Sequence, residues 1–297
     1  MISNSTNISV ALASFNGEKY IEEQLYSILN QTLIPFEIII CDDNSTDNTI
    51  KIIEKISKVY SVIKIFKNKN KLGVIKNFSK AIELCSGDYI ALSDQDDIWE
   101  LNKLEYQLSV VQNHELKSNK LSAVLAVHDL KTFEKPEKFL LNSLWGKLGF
   151  NYLNPNKNIS FTNKYYGCTM LFNRTLFNHI MPIPNNIAMH DHWIALNARD
   201  LGAIVIIEKP LIKNRLHQNN VTTIPNSISF FLKIKNYLKS SLAKNYKQKE
   251  ILQLKEFLNR HNNQLPKNKI MKYNQIIKLK SQINLVRRVS FSIKHRI

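Results

Sequence analysis

Along the first hundred residues, short apolar-rich runs alternate with longer segments in which apolar residues return every three or four positions. Ile8–Ala13, Phe36–Cys41, Val62–Phe66 and Asp88–Leu92 are runs of the first kind and read as buried strands. Glu18–Asn30, with Tyr20, Ile21, Leu25, Ile28 and Leu29 at helical spacing, Asn48–Lys58 and Val74–Leu84 read as helices. Ser45 and Thr46 are N-cap candidates for the second of these. Strands alternating with helices predict an α/β fold, a mostly parallel sheet joined by right-handed crossovers and flanked by helices. Ligands of such sheets bind beyond the carboxyl ends of the strands. A polar cluster follows each expected strand: Ser14-Phe15-Asn16-Gly17, Asp42 to Asp47, the loop around Leu72-Gly73, and Ser93 to Asp97.

The second half is less regular. Leu121–Val127, Tyr166–Phe172 and Ala203–Glu208 read as strands, the first ending at His128-Asp129, and Asp191–Leu201 reads as a helix. Residues 131–164 show no period. Beyond Pro225, Ile228, Phe231, Ile234, Leu238 and Leu242 recur at spacings of three and four, one apolar stripe with lysines around it, and a further helical pattern covers Met271–Val289.

Composition narrows the class. With 44% hydrophobic and 22% charged residues the chain can build a core, which excludes wholesale disorder. Its formal charge of +17 is uneven: residues 225–297 hold 17 Lys/Arg against Glu250 and Glu256, a net of +15, and residues 1–224 are left with +2. Cys41, Cys85 and Cys168 are odd in number and lack CxxC spacing, so they read as core residues of a reducing compartment. The N-terminal segment lacks the pattern of a signal peptide, and the longest apolar runs fall far short of the about 18 residues a spanning helix needs. The expectation is a cytoplasmic protein.

Ser93-Asp94-Gln95-Asp96-Asp97 places three carboxylates within four residues at a strand end. Their mutual repulsion calls for a cation, and Mg²⁺ or Mn²⁺ takes oxygen ligands of this kind. The alternative is a solvated acidic turn in which Asp97 stabilises the start of the next segment.

Three ordered blocks, ISVALASFNGEKYIEEQLYSILNQT, FEIIICDDNSTDNT and NKLGVIKNFSKAIELCSGDYIALSDQDDIW, resemble the N-terminal half of family 2 glycosyltransferases with the GT-A fold, over about residues 7–105. Gly167-Cys168-Thr169-Met170, His190-Asp191-His192-Trp193 and Arg215-Leu216-His217-Gln218-Asn219-Asn220 extend the resemblance to the bacterial branch that builds lipopolysaccharide and capsule, often rhamnosyltransferase-like. The resemblance implies a catalytic domain over 1–224, with a nucleotide-binding half at 1–105 and an acceptor-binding half at 106–224, followed by a basic helical extension at 225–297.

It also implies roles. Ser14, Asp42 and Asp43 would hold the nucleoside, and Gly73 and Lys76 would approach the sugar nucleotide. Asp94-Gln95-Asp96 matches the D-x-D element, with Asp96 and Asp97 shared between ribose and metal, which does which left open. Asp191 matches the catalytic base of an inverting transfer, with an N-cap role for the helix it begins as the structural alternative. His190 stands where the family usually has an acid. His217 matches a position that reaches metal or diphosphate, and Asp129, with His190, is a candidate acceptor contact. The implied cofactor is Mg²⁺ or Mn²⁺, the donor a UDP- or dTDP-sugar, and the acceptor a glycan, lipid-linked in this branch. The Q-x-x-R-W block of processive synthases is missing from the sequence, which implies a single addition.

Three readings of the basic tail compete: a solvated helical appendage, a nucleic-acid surface, and attachment to an anionic membrane, where each Lys/Arg near the surface contributes about 1 kcal/mol. A lipid-linked acceptor ranks the membrane first, placing the protein at the inner face of the cytoplasmic membrane, with no nucleic-acid partner. Part of the stripe could instead pack on the catalytic domain. The different-class alternative is a non-catalytic or nucleic-acid-binding α/β protein that keeps the nucleotide fold.

Overall fold

A computed structural model describes residues 6–118, 122–135, 138–150, 165–217 and 241–282. Its sheet begins with four parallel strands, β1 (Ile8–Ser14), β2 (Glu37–Asp42), β3 (Ile63–Lys67) and β4 (Tyr89–Ser93), in the order β3-β2-β1-β4. Each runs one residue past the apolar run that marks it. Ser14 pairs with Asp42 and Leu12 with Ser93, so the ladder reaches the first polar residue after each run. Alternate side chains feed two cores. Ala11, Ile39, Cys41, Ile90 and Leu92 join one, with helix α3 (Val74–Glu83); Val10, Leu12, Ile38, Ile40 and Ala91 join the other, with α1 (Ile21–Leu29) and α2 (Thr49–Ser57). Burial on both faces explains why these strands are apolar at successive positions.

Helix α2 corrects the capping expectation. Its N-cap is Asn48, and the Asp47 carboxylate accepts from the Thr49 amide at 3.0 Å, whereas Ser45 is committed to Asp42.

The second half departs further from its pattern. After the two-residue β5 (Ile98–Trp99), helix α4 (Lys103–Ser118) leads into β6 (Ala123–Lys135), far longer than the seven-residue run that marks it. The chain continues through β7 (Lys138–Leu141), α5 (Leu144–Leu148), a 3-10 turn at Gly167–Thr169, β8 (Leu171–Asn173), α6 (Arg174–Ile180), α7 (His190–Leu201) and β9 (Gly202–Arg215). Strand β9 pairs parallel with β6 from Ala123↔Gly202 to Phe133↔Arg215. Polar Thr132, paired with Asn214, interrupts the apolar pattern here, and Glu208 and Lys209 fall where the register shifts between Ile207 and Pro210. The short β8 runs antiparallel between β4 and β6, and the edge strand β5 lies antiparallel on β9.

Two helices follow, α8 (Ser241–His261) and α9 (Lys267–Gln282). Leu254, Phe257, Leu258, Leu265, Tyr273 and Ile276 add to the core that contains Trp193 and Ile194 of α7. The expected stripe at 228–242 and the end of the 271–289 pattern lie outside the described residues. Among the described residues no helix is long and apolar enough to cross a membrane.

Buried Glu37 anchors the amino ends of β1, β2 and β4. It accepts from Ser9 Oγ (2.7 Å), the Ser86 amide (2.6 Å), Ser86 Oγ (2.8 Å) and Lys64 Nζ (2.7 Å). Burial alone pushes its carboxyl up, but Lys64, the Ser86 amide and the two hydroxyls outweigh it and hold the group at about 2. A depressed folded-state value contributes stability above the unfolded value, and that contribution is lost as the pH falls toward 2. Glu37→Gln is therefore expected to cost about 2 kcal/mol at neutral pH, since buried donors lose a charged acceptor. The half-exposed Lys64 supplies the smaller share because water screens it. Denaturant unfolding at pH 7 and pH 3 checks this: the gap to wild type should narrow at pH 3, and an equal gap at both would reject the charge argument.

Candidate active site

A cavity of about 960 Å³ opens at the carboxyl ends of β1, β2 and β4, where the topology places ligands. Ser14, Asp43, Gly73, Asp94, Asp96, His190, Asp191 and His217 all line it, although they are spread over 204 positions of sequence.

Neighbouring acids divide into lining and bracing groups. Asp43 faces the cavity and accepts from the amides of Leu72 (2.7 Å) and Gly73 (2.9 Å) and from Asn68 Nδ2 (3.1 Å). It thereby fixes the loop before α3, where Gly73 takes φ +84°, a region a side chain would strain. Asp42 points inward, off the cavity, and accepts from Ser14 Oγ (2.8 Å), the Ser45 amide (2.8 Å) and Ser45 Oγ (2.6 Å). Lys76 is exposed on α3 and does not line the cavity; Lys71 does, with its ammonium 3.6 Å from the centre of the Phe15 ring. Asp129 also lies outside the lining. Its carboxylate accepts from the Ser143 hydroxyl, the Trp145 amide (2.9 Å) and the Leu130 amide (2.7 Å), which ties it to the start of α5.

The acidic turn is held from three sides. The Gln95 amide pairs with both backbone groups of Phe15, at 2.9 and 3.0 Å, and a Cβ on Gly17 would stand 2.3 Å from Gln95 Oε1, so glycine permits the approach. Asp96 Oδ2 lies 2.8 Å from His217 Nε2, and the His217 ring stacks on Tyr20 at 5.0 Å. Arg215 lays its guanidinium 4.8 Å from the Tyr20 ring and 4.5 Å from Phe133, and donates through Nε to the Asp96 carbonyl at 3.2 Å. Asp97 sits behind the lining, fully buried; its Oδ1 accepts from Asn214 Nδ2 (2.8 Å) and the Arg215 amide (3.4 Å).

Burial first, and then crowding, raises Asp94 and Asp97. Burial, then the charges of Asp96 and Asp191, push Asp94 up to about 7, and burial with Asp96 and Asp94 pushes Asp97 well above the usual carboxylate range. Lys103, wholly buried, donates to Gln107 Oε1 at 2.9 Å and sits 3.8 Å from the Trp99 ring. Burial pulls its amine down to about 7 against the opposing influence of Cys168 and Asp97.

The donor set fits a hard divalent cation. Ligand atoms of Asp94, Asp97 and Cys168 lie within 4.8 Å of one another, and Asp97 Oδ2, buried, has no hydrogen-bond partner among the described residues. Burial and the two aspartates keep the Cys168 thiol protonated, so the carboxylates are the ligands a hard ion would use.

Across the cavity stands the amino end of α7. Its N-cap is Met189 rather than Asp191, which occupies the second helical position, half-buried, with Oδ1 accepting from the His192 amide at 2.6 Å. Asp191 lines the same cavity as Asp94, Asp96 and Tyr166, and its charge raises Asp94 and Tyr166. His190 is buried and stacked on Phe78 at 4.2 Å; burial pushes it down to about 3, so the ring is neutral. Neither ring nitrogen has a hydrogen-bond partner among the described residues. A Cβ on Gly167 would stand 3.1 Å from His190 Nε2, so glycine leaves room there.

Lys71, Gln95, Tyr20, Asn77 and Arg215 are parts of the site that sequence reasoning passed over. Asn77, in the first turn of α3, donates to the Cys41 carbonyl at 2.8 Å and reads locally as a polar helix residue. Arg215 had a signal, since it opens the R-L-H-Q block that contains His217.

A sequence model of glycosyl transferase family 2 matches residues 9–181. A Shigella flexneri protein named dTDP-rhamnosyl transferase RfbG is 34% identical over 239 residues, 75% of this chain and 77% of the relative. The Escherichia coli UDP-Glc:alpha-D-GlcNAc-diphosphoundecaprenol beta-1,3-glucosyltransferase WfgD is 34% identical over 58% of this chain and 62% of its own length. Among solved structures, residues 1–349 of S. aureus TarS in complex with UDP-GlcNAc align with a TM-score of 0.54 at 20% identity, over 88% of this chain and 74% of that one. The chain covers 45% of the longer TarS structure. The mannosyltransferase PcManGT from Pyrobaculum calidifontis, in complex with GDP-Man and Mn²⁺, aligns with a TM-score of 0.53 at 14% identity, over 94% and 85%. At these identities the structural likeness is one of fold, the GT-A arrangement.

Proposed function

The chain belongs to glycosyl transferase family 2, and on that premise we propose that it moves one sugar, with inversion, from a nucleoside diphosphate sugar to a lipid-linked glycan in bacterial polysaccharide biosynthesis. The observation that carries this reading is the meeting of Asp94, Asp96 and Asp191 around one cavity at the carboxyl ends of the strands.

The nucleoside lies against Ser14, Asp43 and Gly73, with Asp42 holding Ser14 in place from behind. Lys71 takes the sugar-nucleotide contact expected of Lys76, because Lys71 lines the cavity and Lys76 does not. Asp94, Asp96 and Asp97 would hold Mg²⁺ or Mn²⁺, with His217 on Asp96 and the Cys168 thiol as a neutral neighbour. A divalent cation bound there supplies positive charge to the departing diphosphate. Asp191 accepts the proton of the acceptor hydroxyl as that oxygen bonds to the anomeric carbon; the bond from that carbon to the diphosphate oxygen breaks, and the nucleoside diphosphate leaves. Neutral His190 orients the acceptor through a ring nitrogen. Asp129, committed to α5, has no part in the scheme.

Release of free nucleoside diphosphate from UDP-, dTDP- and GDP-sugars, with Mn²⁺ and polyprenyl-diphosphate glycans, tests the assignment. Turnover of one donor class is expected, and neither turnover nor binding across the set would overturn it.

The +15 of residues 225–297, with Lys255, Lys267, Lys272 and Lys278 exposed along α8 and α9, supports attachment at the anionic inner face of the cytoplasmic membrane. In flotation the full chain is expected to rise with vesicles containing anionic lipid, to ignore neutral ones, and to detach in high salt. Equal recovery with both vesicle types would sink the proposal.

A further inference from the structure

The segment that presents Asp191 is gripped by the C-terminal helices. Upstream of α7, Gln253 Oε1 accepts from the Ala188 amide at 3.1 Å, three residues before Asp191. Arg260 donates to the carbonyls of Ile180 (3.1 Å) and Pro182 (2.9 Å), and its guanidinium lies 5.0 Å from the Trp193 ring. Trp193 in turn donates to the Ile180 carbonyl at 3.0 Å and packs edge-on against Phe257. At the far end of α7, Asp200 accepts from the Tyr273 hydroxyl and pairs with Lys269 at 3.2 Å. These contacts from α8 and α9 fall on residues 180–200, with α7 between them.

Gln253 is the telling residue. It is wholly buried, and its Nε2 has no hydrogen-bond partner among the described residues. A buried amide with one group unpaired carries a desolvation cost. What the glutamine does provide is one directed bond, to the backbone that leads into the base-bearing helix. Arg260 provides two more in the same segment. Directed polar contacts of this kind fix orientation where apolar packing alone tolerates slippage, and misplacing a reacting group by about 1 Å can cost 10²-fold in rate.

We propose that Gln253 and Arg260 are positioning residues for Asp191, so that helices α8 and α9 of the basic tail are a working part of the transferase in addition to any surface they present. The inference rests on Asp191 as the base. Neither residue lines the cavity, and the donor site is built mainly from β1, β2 and β4, so the loss should fall on turnover and spare donor affinity.

The test uses the full chain with Gln253→Met, Arg260→Met and Asp191→Asn, measuring kcat, the Kd for UDP or dTDP with Mn²⁺, and Tm. Each Met variant is expected to lower kcat about tenfold with nucleotide Kd unchanged within about twofold. Gln253→Glu, which keeps an acceptor oxygen for Ala188, should recover most of the turnover. Folded Gln253→Met and Arg260→Met proteins with full kcat overturn the proposal, as does a parallel loss of kcat and nucleotide affinity, the mark of a merely structural role. If Gln253→Glu does not fold, the two Met variants decide alone. Transfer surviving in Asp191→Asn would overturn the base assignment itself; an inactive Asp191→Asn beside a normal Gln253→Met removes only the positioning role.

Discussion

Replacing Asp191 with Asn is expected to lower transfer by about 10³-fold, the contribution of a positioned general base, while the protein stays folded and binds donor within a few-fold of wild type. Geometry separates the two effects. The Asn side chain keeps an oxygen for the His192 amide, which Asp191 now accepts at 2.6 Å, and the helix N-cap is Met189, two residues earlier, so α7 retains its start. What is lost for stability is one negative charge in the first helical turn, worth about 0.3–1 kcal/mol. What is lost for chemistry is the group that accepts the hydroxyl proton. The donor contacts proposed for Ser14, Asp43 and Gly73 do not involve the substituted carboxylate and should be left alone. Initial rates at saturating donor, beside nucleotide titration, check this. Residual transfer above about one tenth of wild type would mean that another group takes the proton.

Asp97→Asn should show the reverse balance between stability and activity. Asp97 is fully buried beside Asp94 and Asp96, and in the metal-free protein its charge is opposed by burial and by both neighbours. Asparagine can still accept from Asn214 and the Arg215 amide through Oδ1, so the brace from β9 survives. The metal-free variant is therefore expected to melt at or above the wild-type temperature. Addition of Mn²⁺ should raise the wild-type Tm, because a ligand that binds only the folded state stabilises it, and should barely move the variant. Turnover is expected to fall about 100-fold, or 2.7 kcal/mol, in line with loss of one electrostatic contact to the reacting groups. Thermal melts with and without Mn²⁺, alongside rates across a Mn²⁺ series, read this directly. A variant that melts lower than wild type without metal and responds normally to Mn²⁺ would return Asp97 to the role of a structural turn residue.

The first four strands were readable because their signals are local. Apolar-rich runs at Ile8–Ala13 and Phe36–Cys41, broken only by Ser9 and Glu37, follow from burial on both faces, and the polar residue ending each run marks the carboxyl end of its strand. The Asp94-Gln95-Asp96-Asp97 turn declared itself by the repulsion it stores. Strands β6 and β9 were not readable at their full length: Thr132, Glu208, Lys209 and Pro210 look like loop residues until each strand has the other beside it. Gln95 likewise looked like a spacer within the D-x-D element. Its grip on Phe15 needs a partner eighty positions away.

The amino-acid sequence by itself determined the family, the order of the first four strands and the set of acids at their ends, because periodicity and short motifs are properties of contiguous residues. The tertiary structure decided which of those acids meet the cavity. Asp42 and Asp43 are adjacent and chemically identical, as are Asp96 and Asp97, yet in each pair only one lines the cavity, Asp43 and Asp96. Asp42 turns to Ser14 and Ser45, and Asp97 to Asn214, 117 positions on. Whether a carboxylate lines the cavity or sits behind it depends on donors from distant segments, and only the fold brings those into reach. The tail follows the same logic. Its charge was plain in the sequence, but its grip on the helix of Asp191 exists only where α8 and α9 lie against α7.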